Sequence, residues 1–276
     1  MKTFRRVVEN HIGWAWLALV YLFLYAPLFF LIIFSFNSTR QDGVFTGFSM
    51  RWYQALLNDN RLVEGFFLSL RVALLTGTLS VILGSFAAFV LVRYKRFSGR
   101  TLFYGLINAP LVMPEVIIGM SLLLLMVAVQ RAVGWPDRGF ITIVLGHTLL
   151  GMSYATVVIQ SRLSEMDRSI EEAAMDLGCT PLDTFFLVTL PNIAPALVSA
   201  WLLTFTLSFD DVVISEFLSG PGVTTLPQVI FSYARRGVNP SIYAAATILI
   251  AVVSVVIAGY SIAVMRRQKR IELSID

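Results

Sequence analysis

Six long apolar stretches divide this chain of 276 residues, and they restrict its possible folds more than any other feature. They cover residues 14–36, 66–92, 101–129, 140–161, 192–218 and 240–265. A helix of about 20 residues crosses the roughly 30 Å hydrocarbon core of a bilayer. With 57% hydrophobic and 14% charged residues, the chain has little polar surface for a water-soluble domain. The sequence therefore predicts an all-α integral membrane protein with six transmembrane helices, forming one domain over residues 1–276.

The positive residues indicate how these helices are oriented. Of the 21 Lys and Arg residues, 13 fall in the N-terminus, the second and fourth connections and the C-terminal tail, and 8 fall on the other side. Because Lys and Arg accumulate in cytoplasmic loops, both termini are predicted to be cytoplasmic. The net charge of +4 reflects residues that flank membrane spans, so it does not indicate a nucleic-acid partner.

The fourth connection, residues 162–191, is a long cytoplasmic segment with the signals of two short helices. Ser169 and Glu172 have the spacing of a capping box, in which each side chain satisfies a free amide at a helix start. Gly178 follows the first helix and favours the left-handed conformation that ends one. The small residues between them predict a compact knob suited to a groove on another protein.

The second short helix of this connection has its own boundaries. Thr180 is predicted to cap it, Pro181 suits its first position, and Asp183 complements the dipole. Pro191 is predicted to follow its end.

The residues Glu172-Ala173-Ala174, then Gly178, then Val188-Thr189-Leu190-Pro191, resemble the EAA loop of bacterial ABC importer permeases. The family has Ile more often at the position of Val188. The resemblance implies that this loop is a coupling helix that lies in a cleft of an ATP-hydrolysing subunit. The residues to which it assigns ATPase coupling are Glu172, Ala173, Ala174, Gly178, Leu190 and Pro191.

No motif for catalysis or cofactor binding occurs in the chain. A G-x-x-x-x-G-K-[ST] loop for nucleotide phosphates is absent, as is a nucleophile elbow. A single cysteine, Cys179, excludes an internal disulfide, and with His11 and His147 it makes no metal cluster. The sequence predicts no catalytic residue, metal or cofactor here, so if ATP drives the protein, ATP-Mg is bound by a partner ATPase.

Ionisable side chains inside the spans are the candidate functional residues, because burying a charge in lipid costs about 2.5–3.5 kcal/mol. On the fifth span, Thr204, Ser208, Asp211 and Ser215 are spaced as one helical stripe, with Asp210 about 100° away. On the third span, Asn108 and Glu115 are seven residues apart and share a face, and two prolines nearby favour a kink. The substrate path is predicted to include Asp211, Asp210, Glu115, Ser208 and Asn108.

Structural roles compete with this interpretation. The acids could pair with Arg71 or cap broken helices near the interface. Glu216 lies near the outer mouth and favours packing within a cap, and His147 favours a packing role. Outside the spans, residues 37–65 predict an interfacial amphipathic helix, and residues 220–240 predict a folded cap that could be partly re-entrant.

The sequence around these acids resembles the permeases of spermidine/putrescine importers, most strongly the second permease of putrescine systems. The segments that carry this resemblance are Ala109–Gly119, Leu207–Val213, Ser219–Gly222, Thr225–Pro227 and Gly237–Pro240. It implies a type I ABC importer permease fold in the bacterial inner membrane. It also implies a heterodimer with a homologous permease, two ATP-binding subunits, a periplasmic polyamine-binding protein and surrounding lipid. The alternatives are an ABC permease for another cargo such as ferric ion, a stand-alone secondary transporter, or a membrane enzyme.

Overall fold

The computed structural model describes residues 2–39, 44–94, 96–235 and 240–272, and these residues are almost entirely helical. An isolated β-bridge joins Asn37 to Phe48. The helices are α1 (Lys2–Ser35), α2 (Arg51–Leu57), α3 (Asn60–Arg93), α4 (Arg100–Val112), α5 (Glu115–Val133), α6 (Phe140–Glu165), α7 (Arg168–Asp176), α8 (Pro181–Thr184), α9 (Leu190–Asp210), α10 (Val213–Leu218), α11 (Leu226–Arg235) and α12 (Pro240–Glu272). A π-helical turn, Phe185–Thr189, joins α8 to α9.

Five helical segments in the described ranges are long and apolar enough to cross a membrane: Gly13–Ser35, Asn60–Arg93, Glu115–Val133, Phe140–Glu165 and Pro181–Asp210. They correspond to the first five predicted spans. The sixth predicted span coincides with α12, whose apolar part, Pro240–Val255, is shorter. The all-α membrane architecture predicted from the sequence is confirmed.

The predicted third span, 101–129, is wrong as a single helix. The chain leaves the helical conformation at Met113, which is extended with ψ 138°, and resumes it at Glu115. Pro114 explains the break, because its ring disfavours the helical conformation at the preceding residue and it has no N–H to donate. Two helices, α4 and α5, therefore occupy this stretch.

The predicted fifth span, 192–218, is also wrong at both ends. Its helix begins earlier, continuous with α8 through the π turn. It stops at Asp210, and the extended Asp211 (ψ 130°) separates it from α10. No proline or glycine lies at this second break, so its cause must be sought in side-chain contacts.

The described residues form two compact units, and the first contains residues 1–63 and 232–276. In this unit α12 packs against α1 and α2. The loop before α2 is held by the indole N–H of Trp52, which donates to the carbonyl of Asn37 at 2.7 Å. The amphipathic helix predicted over 37–65 corresponds to α2, while residues 40–43 of that range lie outside the described part.

The second unit, residues 64–231, contains the remaining spans and both regions that were singled out from the sequence. One core joins α3, α5, α6 and α10 through Val72, Ile118, Leu122, Ile143, Val144, Ile214 and Leu218. A second core joins α3, α6 and α9 through Ala88, Ala155, Ile159, Leu163, Ile193 and Ala200.

Helices α3 and α6 approach each other closely at two glycines. A Cβ added to Gly84 would lie 2.8 Å from the Cβ of Ala155, and one added to Gly151 would overlap the hydroxyl of Ser80. Small residues of this kind let membrane helices pack backbone to backbone.

The segment after α10 is folded, as far as it is described. The amide of Gln228 donates to Glu216 Oε2 at 3.0 Å, and its oxygen accepts from the N–H of Thr225 at 2.8 Å. The N–H of Leu226 donates to Ser69 on α3 at 2.9 Å. Residues 236–239 of the predicted cap lie outside the described residues, so its re-entrant character stays a prediction.

Candidate functional site

A cavity of about 330 Å³ lies where α9 ends, between α5, α6 and α10. Three carboxylates and a histidine line it, together with hydroxyl and aliphatic groups. The lining residues that carry polar side chains are Glu115, His147, Thr204, Ser208, Asp210 and Asp211. Four of the five residues predicted for the substrate path therefore meet in one place, although Glu115 lies on α5 and the other three at the end of α9.

His147 is the most buried ionisable group of this cavity, with 4% of its surface exposed. Its Nε2 lies 3.0 Å from Asp211 Oδ2, and its Nδ1 lies 2.7 Å from the hydroxyl of Ser208. Because the carboxylate can only accept, Nε2 carries the proton of this contact. The hydroxyl of Ser215 is a further neighbour of Nε2 at 3.2 Å. A buried histidine with both nitrogens bonded fits the packing role predicted for it, but the sequence did not indicate Asp211 as its partner.

Asp211 also caps the short helix α10. Its carboxylate accepts from the N–H of Ser215 at 2.8 Å and from the N–H of Ile214 at 3.3 Å. These amides have no helical partner at a helix start, so a carboxylate there compensates for the break. The prediction that Thr204, Ser208, Asp211 and Ser215 form a stripe on one helix is wrong, because α9 ends at Asp210. The break, and not helical periodicity, brings Asp211 to the cavity.

Asp210 and Glu115 line the same cavity, but they lack the partners that Asp211 has. Both residues are exposed, and no other described residue forms a hydrogen bond or ion pair with either carboxylate. Glu115 is the first residue of α5, where the helix dipole favours a negative charge. Asp210 is the last residue of α9. Of the three carboxylates, these two are available to a ligand, while Asp211 is already engaged.

Asn108 does not belong to the lining residues of the cavity. The break at Met113 separates its helix from that of Glu115, so the shared face predicted for these residues is wrong. Its side-chain amide donates to the carbonyl of Tyr104 at 2.8 Å, which is a local bond within α4. The alternative partner considered for the acids is also not seen, since Asp211 pairs with His147 and not with Arg71.

The connection over residues 162–191 contains the predicted pair of short helices, with a different start. The first, α7, begins at Arg168, and its cap is Asp167, whose carboxylate accepts from the N–H of Ser169 at 3.0 Å. The predicted capping box of Ser169 and Glu172 is therefore wrong, because Ser169 already lies inside the helix. The hydrogen bond from the Ser169 backbone holds the pKa of Asp167 below its ordinary value of 3.8.

The end of α7 follows the prediction. Gly178 is left-handed, with φ +95°. Its N–H donates to the carbonyl of Met175 at 2.9 Å, and that of Cys179 donates to the carbonyl of Ala174 at 3.1 Å. This pair of bonds is the Schellman motif. Gly178 therefore turns the chain at the point where the family motif has its glycine.

The second helix, α8, starts as predicted and ends elsewhere. Thr180 Oγ1 accepts from the N–H of Asp183 at 3.2 Å, and Asp183 Oδ2 accepts from the Thr180 hydroxyl at 2.6 Å. Pro191 does not end the helix, because α8 continues through Phe185–Thr189 into α9. The π turn provides for the proline, whose ring would clash with an ordinary turn: the N–H of Leu190 bonds to the carbonyl of Phe185, five residues back.

The predicted coupling residues mostly lie on an accessible surface. Glu172, Ala173, Gly178 and Pro191 are exposed, and Ala174 and Leu190 are half-buried. Two leucines next to the turn are strongly exposed, Leu177 at 88% and Leu182 at 71%. An exposed apolar rim around small residues is the expected form of a docking surface. The sequence did not single out Glu171, which turns inward and bonds to Arg93 and Thr189.

The fold is that of a type I ABC importer permease. A bacterial ABC transporter involved in the import of the acidic polysaccharide alginate has a similar chain, with a TM-score of 0.71. The match covers 92% of this chain and 95% of that one, at 16% sequence identity, so it concerns the fold alone.

Sequence similarity identifies the family. Residues 80–270 match the family model described as binding-protein-dependent transport system inner membrane component, and the chain belongs to that family. It is 54% identical to the putrescine transport system permease protein PotI of Escherichia coli over 92% of this chain and 91% of that protein. It is also 38% identical to the spermidine/putrescine transport system permease protein PotC of Haemophilus influenzae, over 86% and 90% of the two chains. Family membership makes the chain a transport permease and not an enzyme.

Proposed function

We propose that this chain forms half of the membrane path of an ATP-driven importer for a polyamine such as putrescine or spermidine. Its similarity to PotI and PotC, which extends over most of each chain, supports a cargo of this class. The distribution of Lys and Arg supports an inner-membrane orientation with both termini in the cytoplasm.

The observation that carries the proposal is the pair of unpaired acids in the cavity. Asp210 and Glu115 occupy the membrane-spanning part of the chain without a cation from the described residues. Acids at such depth are costly, and they face polar paths or partners in known membrane proteins. Two carboxylates in one cavity suit the two ammonium groups of a diamine, and they argue against an anionic cargo. Binding must stay weak, since a deep energy well would retain the cation.

The proposed partners rest on two features of the chain: it has no phosphate-binding loop, and it exposes the surface around α7 and α8. Without a phosphate-binding loop it needs ATP-binding subunits, two of them in the importers that it resembles, and ATP-Mg would be bound there. The surface around α7 and α8 would dock on those subunits. A homologous permease, forming a heterodimer, would complete the path, and a periplasmic binding protein would deliver the polyamine.

Uptake measurements test the proposal. In a strain without polyamine transporters, the complete set of subunits should produce saturable uptake of radiolabelled putrescine or spermidine. Uptake should disappear when the ATPase is inactivated by mutation. Reconstituted alone, this chain should give no flux above that of empty liposomes. Ferric ion uptake without polyamine uptake would overturn the assigned cargo, and gradient-driven flux through the lone chain would favour a secondary transporter.

A further inference from the structure

Glu171 is the residue that ties the docking helix α7 to the membrane helices. Its Oε1 accepts from Arg93 Nη2 at 2.5 Å and from the hydroxyl of Thr189 at 2.6 Å. Within the ranges that the structure describes, no other side-chain hydrogen bond joins α7 to a membrane helix or to the π turn. One carboxylate therefore provides the polar attachment of an otherwise exposed helix.

The two donors lie at the ends of two helical segments. Arg93 is the last residue of α3, and Thr189 is the last residue of the π turn, directly before α9. Helices α3 and α9 pack in the same hydrophobic core, through Ala88 and Ile193. Glu171 thus connects α7 to the cytoplasmic ends of two helices that pack together in the membrane-spanning part.

The contact is shielded from water. The side chains of Arg93 and Glu171 are only 9% and 12% exposed, and Thr189 is 1% exposed. The Nε of Arg93 is buried and has no hydrogen-bond partner in the described residues, so Glu171 compensates the guanidinium through Nη2. A charge pair with so little solvent is weakly screened, and removing one partner leaves the other buried and uncompensated. The position of α7 is therefore strongly bound to those of α3 and α9.

The neighbouring acid has a different environment. Glu172 is exposed and lies about 100° further around the helix axis. The two consecutive acids thus separate by face: Glu172 points to the docking surface, while Glu171 points into the protein. Surface packing alone would require no buried charge at this place.

We propose that Glu171, Arg93 and Thr189 form a coupling latch, through which a displacement of α7 by the ATPase moves the cytoplasmic ends of α3 and α9. The latch rests on the proposed function, because it presupposes an ATPase docked on α7. Glu171 is a positioning residue in it, since it touches neither cargo nor nucleotide. Its loss should separate ATP hydrolysis from transport while leaving the docking surface in place.

The test uses the whole complex, with both permeases and the ATPase subunits, reconstituted in liposomes with polyamine-loaded binding protein. Three quantities are measured: complex recovered, ATP hydrolysed, and putrescine taken up. In Glu171→Gln we expect hydrolysis to persist and uptake per ATP to fall about fivefold or more, within the range typical of coupling between sites. Thr189→Val keeps the shape and the ion pair, so its effect should be smaller.

Two further variants separate coupling from folding. The matched control is Glu165→Gln, which removes an exposed carboxylate at the cytoplasmic end of α6 and should leave uptake per ATP unchanged. The exchanged pair Arg93→Glu with Glu171→Arg should recover uptake relative to each single variant.

The outcomes are distinct. Wild-type complex without ATP-driven uptake would refute the proposed function itself. Wild-type uptake per ATP in Glu171→Gln, in a transporting system, would overturn the latch alone. Loss of the assembled complex in Glu171→Gln would also overturn it, by assigning the residue to assembly. No recovery in the exchanged pair would show that the charge contact does not carry the coupling.

Discussion

The two ends of α9 treat helix continuity in opposite ways. At the end that the proposed orientation places in the cytoplasm, the chain stays helical from Pro181 to Asp210 although Pro191 lies within it, because the π turn shifts the hydrogen bonds around the proline. At the outer end, the helix stops after Asp210 without a proline or glycine. At one end the helix continues through a proline, which usually breaks helices. At the other end it stops although no proline or glycine is present.

The difference shows that side-chain contacts decide where this helix ends. At the outer end, the Asp211 carboxylate binds two amides of α10 and His147 of α6. Three bonds to one carboxylate compensate for the hydrogen bonds lost at the break. At the cytoplasmic end, the uninterrupted helix joins α8 to a membrane span as one piece. In the proposed function, the rigid connection would transmit the movement of the ATPase, and the broken, polar end would contact the substrate.

The largest effect is expected when the outer break loses its support. Asp211→Ala should destabilise the protein by about 3 kcal/mol, because His147 stays buried without its acid and two amides lose their cap. The thermal unfolding midpoint of the purified complex measures this. Asp210→Ala, one residue away, serves as control and should change the stability little. Equal stability in both variants would mean that Asp211 does not hold the break.

The cytoplasmic end can be disturbed at the turn before α8. Gly178→Val forces a β-branched residue into a left-handed conformation, at a cost of about 2 kcal/mol. The protein should still insert in the membrane, but less ATPase should co-purify with it. Ala174→Trp, which enlarges the docking surface instead of straining the turn, should have the same result. Unchanged amounts of ATPase in both would contradict the docking role of this loop.

The adjacent acids Asp210 and Asp211 should differ in their effects on uptake and stability. Asp210→Asn should lower uptake about tenfold, equivalent to about 1.4 kcal/mol, while stability and assembly persist. Asp211→Asn should reduce both transport and stability, since the same carboxylate serves the fold. The matched control is Thr206→Val, which changes an exposed residue of α9 one turn before Asp210. Uptake is measured per assembled complex, and normal uptake in Asp210→Asn would remove the acid from the path.

The smallest expected effect is the pH dependence of the start of α7. The pKa of Asp167 is lower in the folded protein than its ordinary 3.8, so its cap contributes stability above that pH. The contribution should disappear as the pH falls through the lower, folded value. Hydrogen exchange of the Ser169 amide, corrected for its intrinsic rate, should therefore accelerate at acidic pH. In Asp167→Asn the corrected rate should not show this pH dependence.

Much of the fold could be predicted because long apolar segments and turn chemistry are local signals. Gly178 and Thr180 acted as expected, since a left-handed glycine and a capping hydroxyl depend on few neighbours. The site was predicted less completely. That Asp211 caps α10 and pairs with His147, 64 residues away, depends on tertiary packing that no spacing encodes. Glu171 was missed for the same reason, because its partners are 78 and 18 residues distant.

The close approach of α3 and α6 at Gly84 and Gly151 bears on which parts of the protein can move. Any larger side chain at either glycine would meet the opposing helix, so these positions should tolerate no substitution in a saturation library. Because the two helices are in contact at both glycines, we expect them to move as one unit. This unit carries Arg93 at the end of α3 and His147 of α6 beside the cavity. In the proposed mechanism, a displacement of α7 would therefore reach the acids as a joint movement of α3, α6 and α9, because Thr189 ties α7 to the start of α9 as well.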